Sequence, residues 1–358
     1  MSFSDHLREG ARNLLVNCAE VQSGETLLIV HERAELGWYD NQIRDALADM
    51  ARSMDIEPAI KTAGAPGQDN KGKVTDAVRQ HDCTIFLARI GDQDRFSEPP
   101  PGCRAVMVYA RDAQMLASQF GRTDHRAMLA MKAAVNDVLG TAENIEITCG
   151  LGTQITGSPA SSTSSEPLDV GVRRFPMGVP APVEATTFSG QVALAHFLTP
   201  TGSQPYEPAS VRIEDPVFAQ VENGKIAGFE GNPEDVARVN QHYDMVSEKF
   251  GIDRNHIHSW HAGIHPACAY VTDAAADPDR WSNTVFPNPR ILHFHTCGNY
   301  APGEICWMVL DATVEVDGVN LWENGRLCAS RFERTSECLE EWKQLAPIFD
   351  NPEHRIGI

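Results

Sequence analysis

The stretch VQSGETLLIVHERAELGWYDNQIRDALADMARSMDIEPAIKTA, residues 21–63, decides the fold. TLLIV (26–30) is a short continuous apolar run, the pattern of a parallel strand buried on both faces. Apolar residues at helical spacing follow through Ile43–Met54, and EPAIKTA (57–63) reads as a second strand. The alternation continues beyond it. A helix near Val74–His81 leads to CTIFLARI (83–90), and GCRAVMVYA (102–110) gives a further strand. Two helices, near Ala113–Phe120 and Arg126–Leu139, close this half. Strands alternating with helices of this length predict a parallel sheet covered on both faces. The expected first domain is therefore a parallel, flavodoxin-like α/β unit over residues 1–145. Upstream, Ser4 is the expected cap of a helix carrying Leu7, Ala11, Leu14 and Leu15.

The pattern changes near Asn144. NIEITCG reads as a strand, and the Gly, Ser and Pro-rich stretch 150–167 reads as an ordered loop or domain junction. From Phe188 onward the signals are antiparallel. Glu222-Asn223-Gly224 and Glu323-Asn324-Gly325 are hairpin turns, because Asn-Gly supplies two residues with positive φ. One helix interrupts the strands, with Pro233 at its start and Gly251 at its end. The expected second domain, 146–358, is mixed α+β and carries the active site.

The chain has 358 residues, 42% apolar and 22% charged, which is ordinary globular composition. A net charge of −19 argues against a nucleic-acid partner and an anionic membrane surface. The N-terminal MSFSDHLREGARNLL is a polar amphipathic helix rather than a basic region followed by an apolar core. Nine cysteines occur without a CxxC pair, so reduced thiols and a cytoplasmic location are expected. A small-molecule substrate fits these features.

Histidine distribution is the main chemical signal. His256, His258, His261, His265, His293 and His295, six of the thirteen, fall within forty residues. Uniform scattering would put about one or two there. In ILHFH (291–295), strand alternation sets His293 and His295 on one face and Leu292 and Phe294 on the other. His261 and His265 would share a helical face, although Gly263 and Pro266 favour a loop. Imidazole suits zinc, iron, copper or nickel, and a nearby carboxylate would complete a site. Asp311 ends the apolar run ICWMVL and needs a partner: a metal, an arginine or backbone donors. Glu304, after Pro302-Gly303, reads as a loop residue, and Cys297 is a conceivable nucleophile with nothing nearby to activate it. Gly150-Leu151-Gly152-Thr153 opens no helix, so a dinucleotide fingerprint fails, and no GxSxG, HExxH or P-loop occurs.

In order along the chain, VQSGETLLIV, CGLGTQITG, FPMGVPAPVEATTFSGQV, HAGIHP, FHTCGN, LDATVEVDG and LWENGRL resemble the superfamily joining thermophilic aminopeptidase T with the 2,5-dihydroxypyridine 5,6-dioxygenases. The dioxygenase branch holds Fe(II) with a histidine that falls on His261 and an HxD pair that falls on Val309-Leu310-Asp311. The aspartate is kept and Val309 stands where the second histidine would be. The peptidase branch carries a histidine that falls on His295, while its two metal-binding glutamates fall near Val179 and Ile291. The resemblance thus implies a metal set of His261, His295 and Asp311, with His258 or His265 as acid–base. A 2-His-1-carboxylate set leaves positions open for dioxygen and a chelating substrate. The expected function is ring-opening oxidation of a small hydroxylated aromatic or N-heteroaromatic at Fe(II). A Zn or Mn hydrolase, amidase or aminopeptidase-like, is the second reading. A metal-free descendant using histidine acid–base chemistry is the third. The family assembles into dimers or larger rings, so a homo-oligomer is implied.

Overall fold

Leu27–Glu32 is buried at every position, and it pairs in parallel with Ala59–Ala63 on one side and Cys83–Leu87 on the other. This is the arrangement that a continuous apolar run dictates, since neither face can be left to water. The computed structural model describes residues 2–66, 71–93, 99–159, 171–202, 206–298 and 304–358. Arg104–Val108 and then Arg173–Phe175 extend the sheet, all parallel. Contacts divide the chain into two units. The first comprises Met1–Leu129 and Asp169–Gly178; the second comprises Ala130–Leu168 and Val179–Ile358.

A simple division at residue 145 therefore misses a return of the chain. Three residues, Arg173–Phe175, give the parallel sheet its last strand. So short a piece, with two arginines, has no apolar periodicity to announce it. The first helix, Phe3–Arg12, is capped by Ser2 rather than Ser4. Ser2 and Asp5 form a capping box, each side chain bonding the other's backbone amide, which satisfies two donors at the open helix end. The junction-like stretch 150–167 is only partly within the described residues.

The second unit is built on an antiparallel sheet. The strands Ser189–Pro200, Ile305–Leu310, Ile291–Thr296, Ile257–Ala262 and Val183–Glu184 lie side by side in that order. Both Asn-Gly turns form as their sequence dictates. Asn223 and Gly224 have φ of 49° and 69°, and Asn324 and Gly325 have 47° and 74°, the two positive angles a tight twisted hairpin requires. The helix Pro233–Phe250 is capped by Asn232 and stopped by Gly251 in the left-handed region.

Ile257–Ala262 and Ile291–Thr296 are buried at all twelve positions. One face of Ile291–Thr296 is apolar: Phe294 packs on Trp307 at 5.6 Å, and the Trp307 indole donates to Tyr243 Oη. The other face is where the histidines go. Among the described residues no helix is long and apolar enough to cross a membrane.

Candidate metal centre

Antiparallel register sets His261 directly opposite His293, and Ser259 opposite His295. Paired residues share a face, so three imidazoles from two strands converge. Ring centroids lie 4.1 Å apart for His261 and His293, 5.1 Å for His261 and His295, and 5.0 Å for His293 and His295. All three side chains are buried, and one nitrogen from each falls within 4.8 Å of the others. His261 is in a strand, not a helix or loop. Just beyond it the chain passes very close to its neighbour: a Cβ on Gly263 would sit 2.2 Å from the Asn288 carbonyl oxygen. Glycine is the residue that permits this approach.

Second contacts of two rings fix how they present their nitrogens. His261 Nδ1 lies 3.2 Å from the Pro180 carbonyl oxygen, which can only accept, so Nδ1 carries the proton and Nε2 keeps its lone pair. The Pro180 segment is itself held, Ala181 donating its amide to Asn136 Oδ1 at 2.8 Å. His295 Nδ1 lies 3.2 Å from Thr201 Oγ1 and 3.6 Å from Glu304 Oε1. A carboxylate beside Nδ1 favours the proton there and leaves Nε2 as the ligand atom.

The two Nε2 atoms face each other at 3.1 Å. Two lone pairs at that separation repel unless a proton or cation is shared between them. Nitrogens about 2.1 Å from one metal ion are about 3.0 Å apart at a right angle and about 3.4 Å apart in a tetrahedron. The observed separation lies between those values. Neutral imidazole is the ligand form, and the residues present fit a divalent transition metal.

The other expected site residues lie elsewhere. Asp311 is not a member of the three-nitrogen group. Its carboxylate receives Arg290 Nε and Nη2, each at 2.6 Å. The strand ends at Leu310, and Asp311 sits in a turn with φ of 50°, packed against Gly325 of the last hairpin. A paired arginine was one of the three partners such a carboxylate could have, and it is the one found. Val309 pairs with Leu292 and so lies on the face opposite His293 and His295. His258 also stands apart; its Nδ1 lies 2.9 Å from Ser259 Oγ, and burial pushes its pKa down to about 4. His265 is fully buried, with its Nδ1 accepting from the Ala267 amide at 3.3 Å. Cys297 is no activated nucleophile, since burial pushes its thiol up to about 12.

Glu304, a loop residue by its sequence setting, belongs to the surroundings of the site. It is buried beside His295, and Tyr206 Oη donates to its carbonyl oxygen at 3.0 Å. The only local hint was a carboxylate one residue before an apolar run.

No family model matches the chain, and no curated protein matches its sequence. Among solved structures the chain is similar to a 2,5-dihydroxypyridine dioxygenase from Pseudomonas putida KT2440, with 13% identity and a TM-score of 0.59 over 94% of this chain and 99% of that one. It is also similar to wild-type AmpT from Thermus thermophilus, with 12% identity and a TM-score of 0.52 over 91% of this chain and 100% of that one. At such identities the likeness is one of fold. Spanning nearly the whole of each chain, it gives this protein the fold shared by 2,5-dihydroxypyridine dioxygenase and AmpT.

Proposed function

We propose that this chain is a metal-dependent enzyme that opens a small hydroxylated aromatic or N-heteroaromatic ring with dioxygen. The observation that carries this reading is the convergence of His261, His293 and His295, one nitrogen from each within 4.8 Å of the others. The similarity in fold to a solved 2,5-dihydroxypyridine dioxygenase supports the reaction class. A bound Fe(II) would supply a place for dioxygen and for the ring oxygens of the substrate to meet.

The protein's own part is positioning. The Pro180 carbonyl holds His261, and Thr201 holds His295 with the Glu304 carboxylate behind it, so the two rings present Nε2 toward each other. Surrounding strands are buried on both faces, which keeps bulk water from the reacting groups. Both oxygen atoms of dioxygen enter the ring-opened product, so the reaction needs no external reductant.

A second reading is a hydrolase with Zn or Mn, supported by the similarity to AmpT. It draws on one specific feature: with Asp311 engaged by Arg290, the group among the described residues is three imidazoles and no carboxylate. Such a neutral set also suits zinc-bound water. Metal analysis of protein purified without a polyhistidine tag, with oxygen uptake on dihydroxylated rings, separates the readings. Iron with stoichiometric oxygen uptake supports the first. Zinc or manganese with amide cleavage and no oxygen uptake replaces it with the second.

A further inference from the structure

Glu304 lies immediately before the strand Ile305–Leu310 and is only 2% exposed. A glutamate at that depth has lost most of its hydration, so its charged form is sustained by nearby polar and cationic groups. Its backbone is pinned, with the carbonyl accepting from Tyr206 Oη at 3.0 Å. Tyr206 is itself buried and rests edge-on against His242 and Phe250, with ring centroids at 5.8 and 6.1 Å. The Glu304 carboxylate stands 3.6 Å from His295 Nδ1, an ion-pair separation.

We infer that Glu304 is a positioning residue for the three-histidine centre: by its charge, 3.6 Å behind a ring that Thr201 Oγ1 contacts at 3.2 Å, it favours the proton on His295 Nδ1, leaves Nε2 facing His261 Nε2, and places a negative charge behind a bound cation. This rests on the metal-dependent reading above. The two facing rings are braced differently. His261 leans on a neutral carbonyl, 3.2 Å away at Pro180, whereas His295 has a carboxylate behind it. Only the carboxylate can make its imidazole a stronger donor by charge, because a nearby anion raises ring basicity. Among the described residues no carboxylate belongs to the three-nitrogen group, and Glu304 offsets the cation's charge from one residue further out. Removing such a partner costs about 10- to 100-fold in metal affinity in comparable sites.

The test uses the full chain and Co(II) as the probe. Co(II) affinity is read by competition against a chromophoric chelator, and its visible spectrum reports ligand geometry. Glu304→Gln is expected to weaken Co(II) binding about tenfold or more and to alter the spectrum, while the melting temperature of the metal-free protein holds or rises. Glu304→Asp, which keeps the charge, is expected to bind closer to wild type than Glu304→Gln does. Binding by Glu304→Gln equal to wild type, with a lower metal-free melting temperature, would mean a merely structural role and overturn the inference alone. A wild-type chain that binds no Co(II) overturns the metal reading and this inference together. A further measurement needs no variant: nitrogen-15 NMR of the histidines in Zn(II)-loaded wild type is expected to show His295 protonated at Nδ1, with Nε2 bound to the metal. Metal bound through Nδ1 defeats the proposal even if Glu304→Gln does not fold.

Discussion

Arg290 grips Asp311 with two parallel hydrogen bonds, Nε to Oδ1 and Nη2 to Oδ2, both at 2.6 Å. The pair is partly exposed, with side-chain exposures of 25% and 41%. An ion pair in that setting is worth about 0.2–1 kcal/mol. Asp311→Ala is therefore expected to leave metal affinity unchanged and to lower stability by no more than about 1 kcal/mol. Metal titration and denaturant unfolding check both parts. Loss of metal with Asp311→Ala would return the aspartate to the site.

His261→Ala, His293→Ala and His295→Ala should behave alike, each reducing metal affinity about tenfold or more. His293→Ala is the discriminating member, because the resemblance implied Asp311 as the third ligand and the three-nitrogen group has His293 instead. His258→Asn and His265→Asn lie outside the group and are expected to keep full metal affinity. Isothermal titration with Co(II) or Zn(II) ranks all five variants.

Val309 is buried on the face of Leu292 and Phe294. Placing an imidazole there buries a polar ring in an apolar layer without restoring a ligand. Val309→His is expected to cost about 2–4 kcal/mol of stability and to leave metal affinity as it was. Tighter metal binding in this variant would show that residue 309 reaches the centre after all.

His242 gives the protein a sensitivity to acid. Neither ring nitrogen has a hydrogen-bond partner among the described residues, and burial pushes the pKa from 6.5 down to about 4. Below pH 6.5 the unfolded chain takes up a proton that the folded chain refuses until about pH 4. Stability is thus fully present above pH 6.5 and falls as pH drops toward 4, by about 3 kcal/mol for this group. His242→Leu should flatten the stability profile between pH 6.5 and 4. An unchanged slope in urea unfolding across that window would exclude His242 as its source.

Local signals carried the elements well. The Asn-Gly turns, the buried run at 26–30 and the Pro233 to Gly251 helix each rest on chemistry within a few residues, so they can be read from the chain alone. The common face of His293 and His295 was legible for the same reason. What placed His261 against them was the register between two strands thirty residues apart, and no local pattern encodes register. The partner of Asp311 was equally remote, since Arg290 lies on another strand's approach and only the folded sheet brings it near. Glu304 depended on Tyr206, almost a hundred residues upstream. The last parallel strand was too short and too charged to stand out.

That last strand has a consequence for how the protein is made. Arg104–Val108 leaves the ribosome well before Arg173–Phe175, its partner in the parallel sheet. At ordinary rates of synthesis the interval is on the order of ten seconds. Throughout it the nascent sheet presents an unpaired edge of buried-type sequence, the kind of surface on which strands from other chains can add. Any fragment that stops near residue 145 keeps that edge open permanently. The first unit is thus complete only once translation has passed Phe175, and a chaperone that shields Arg104–Val108 would act in that window.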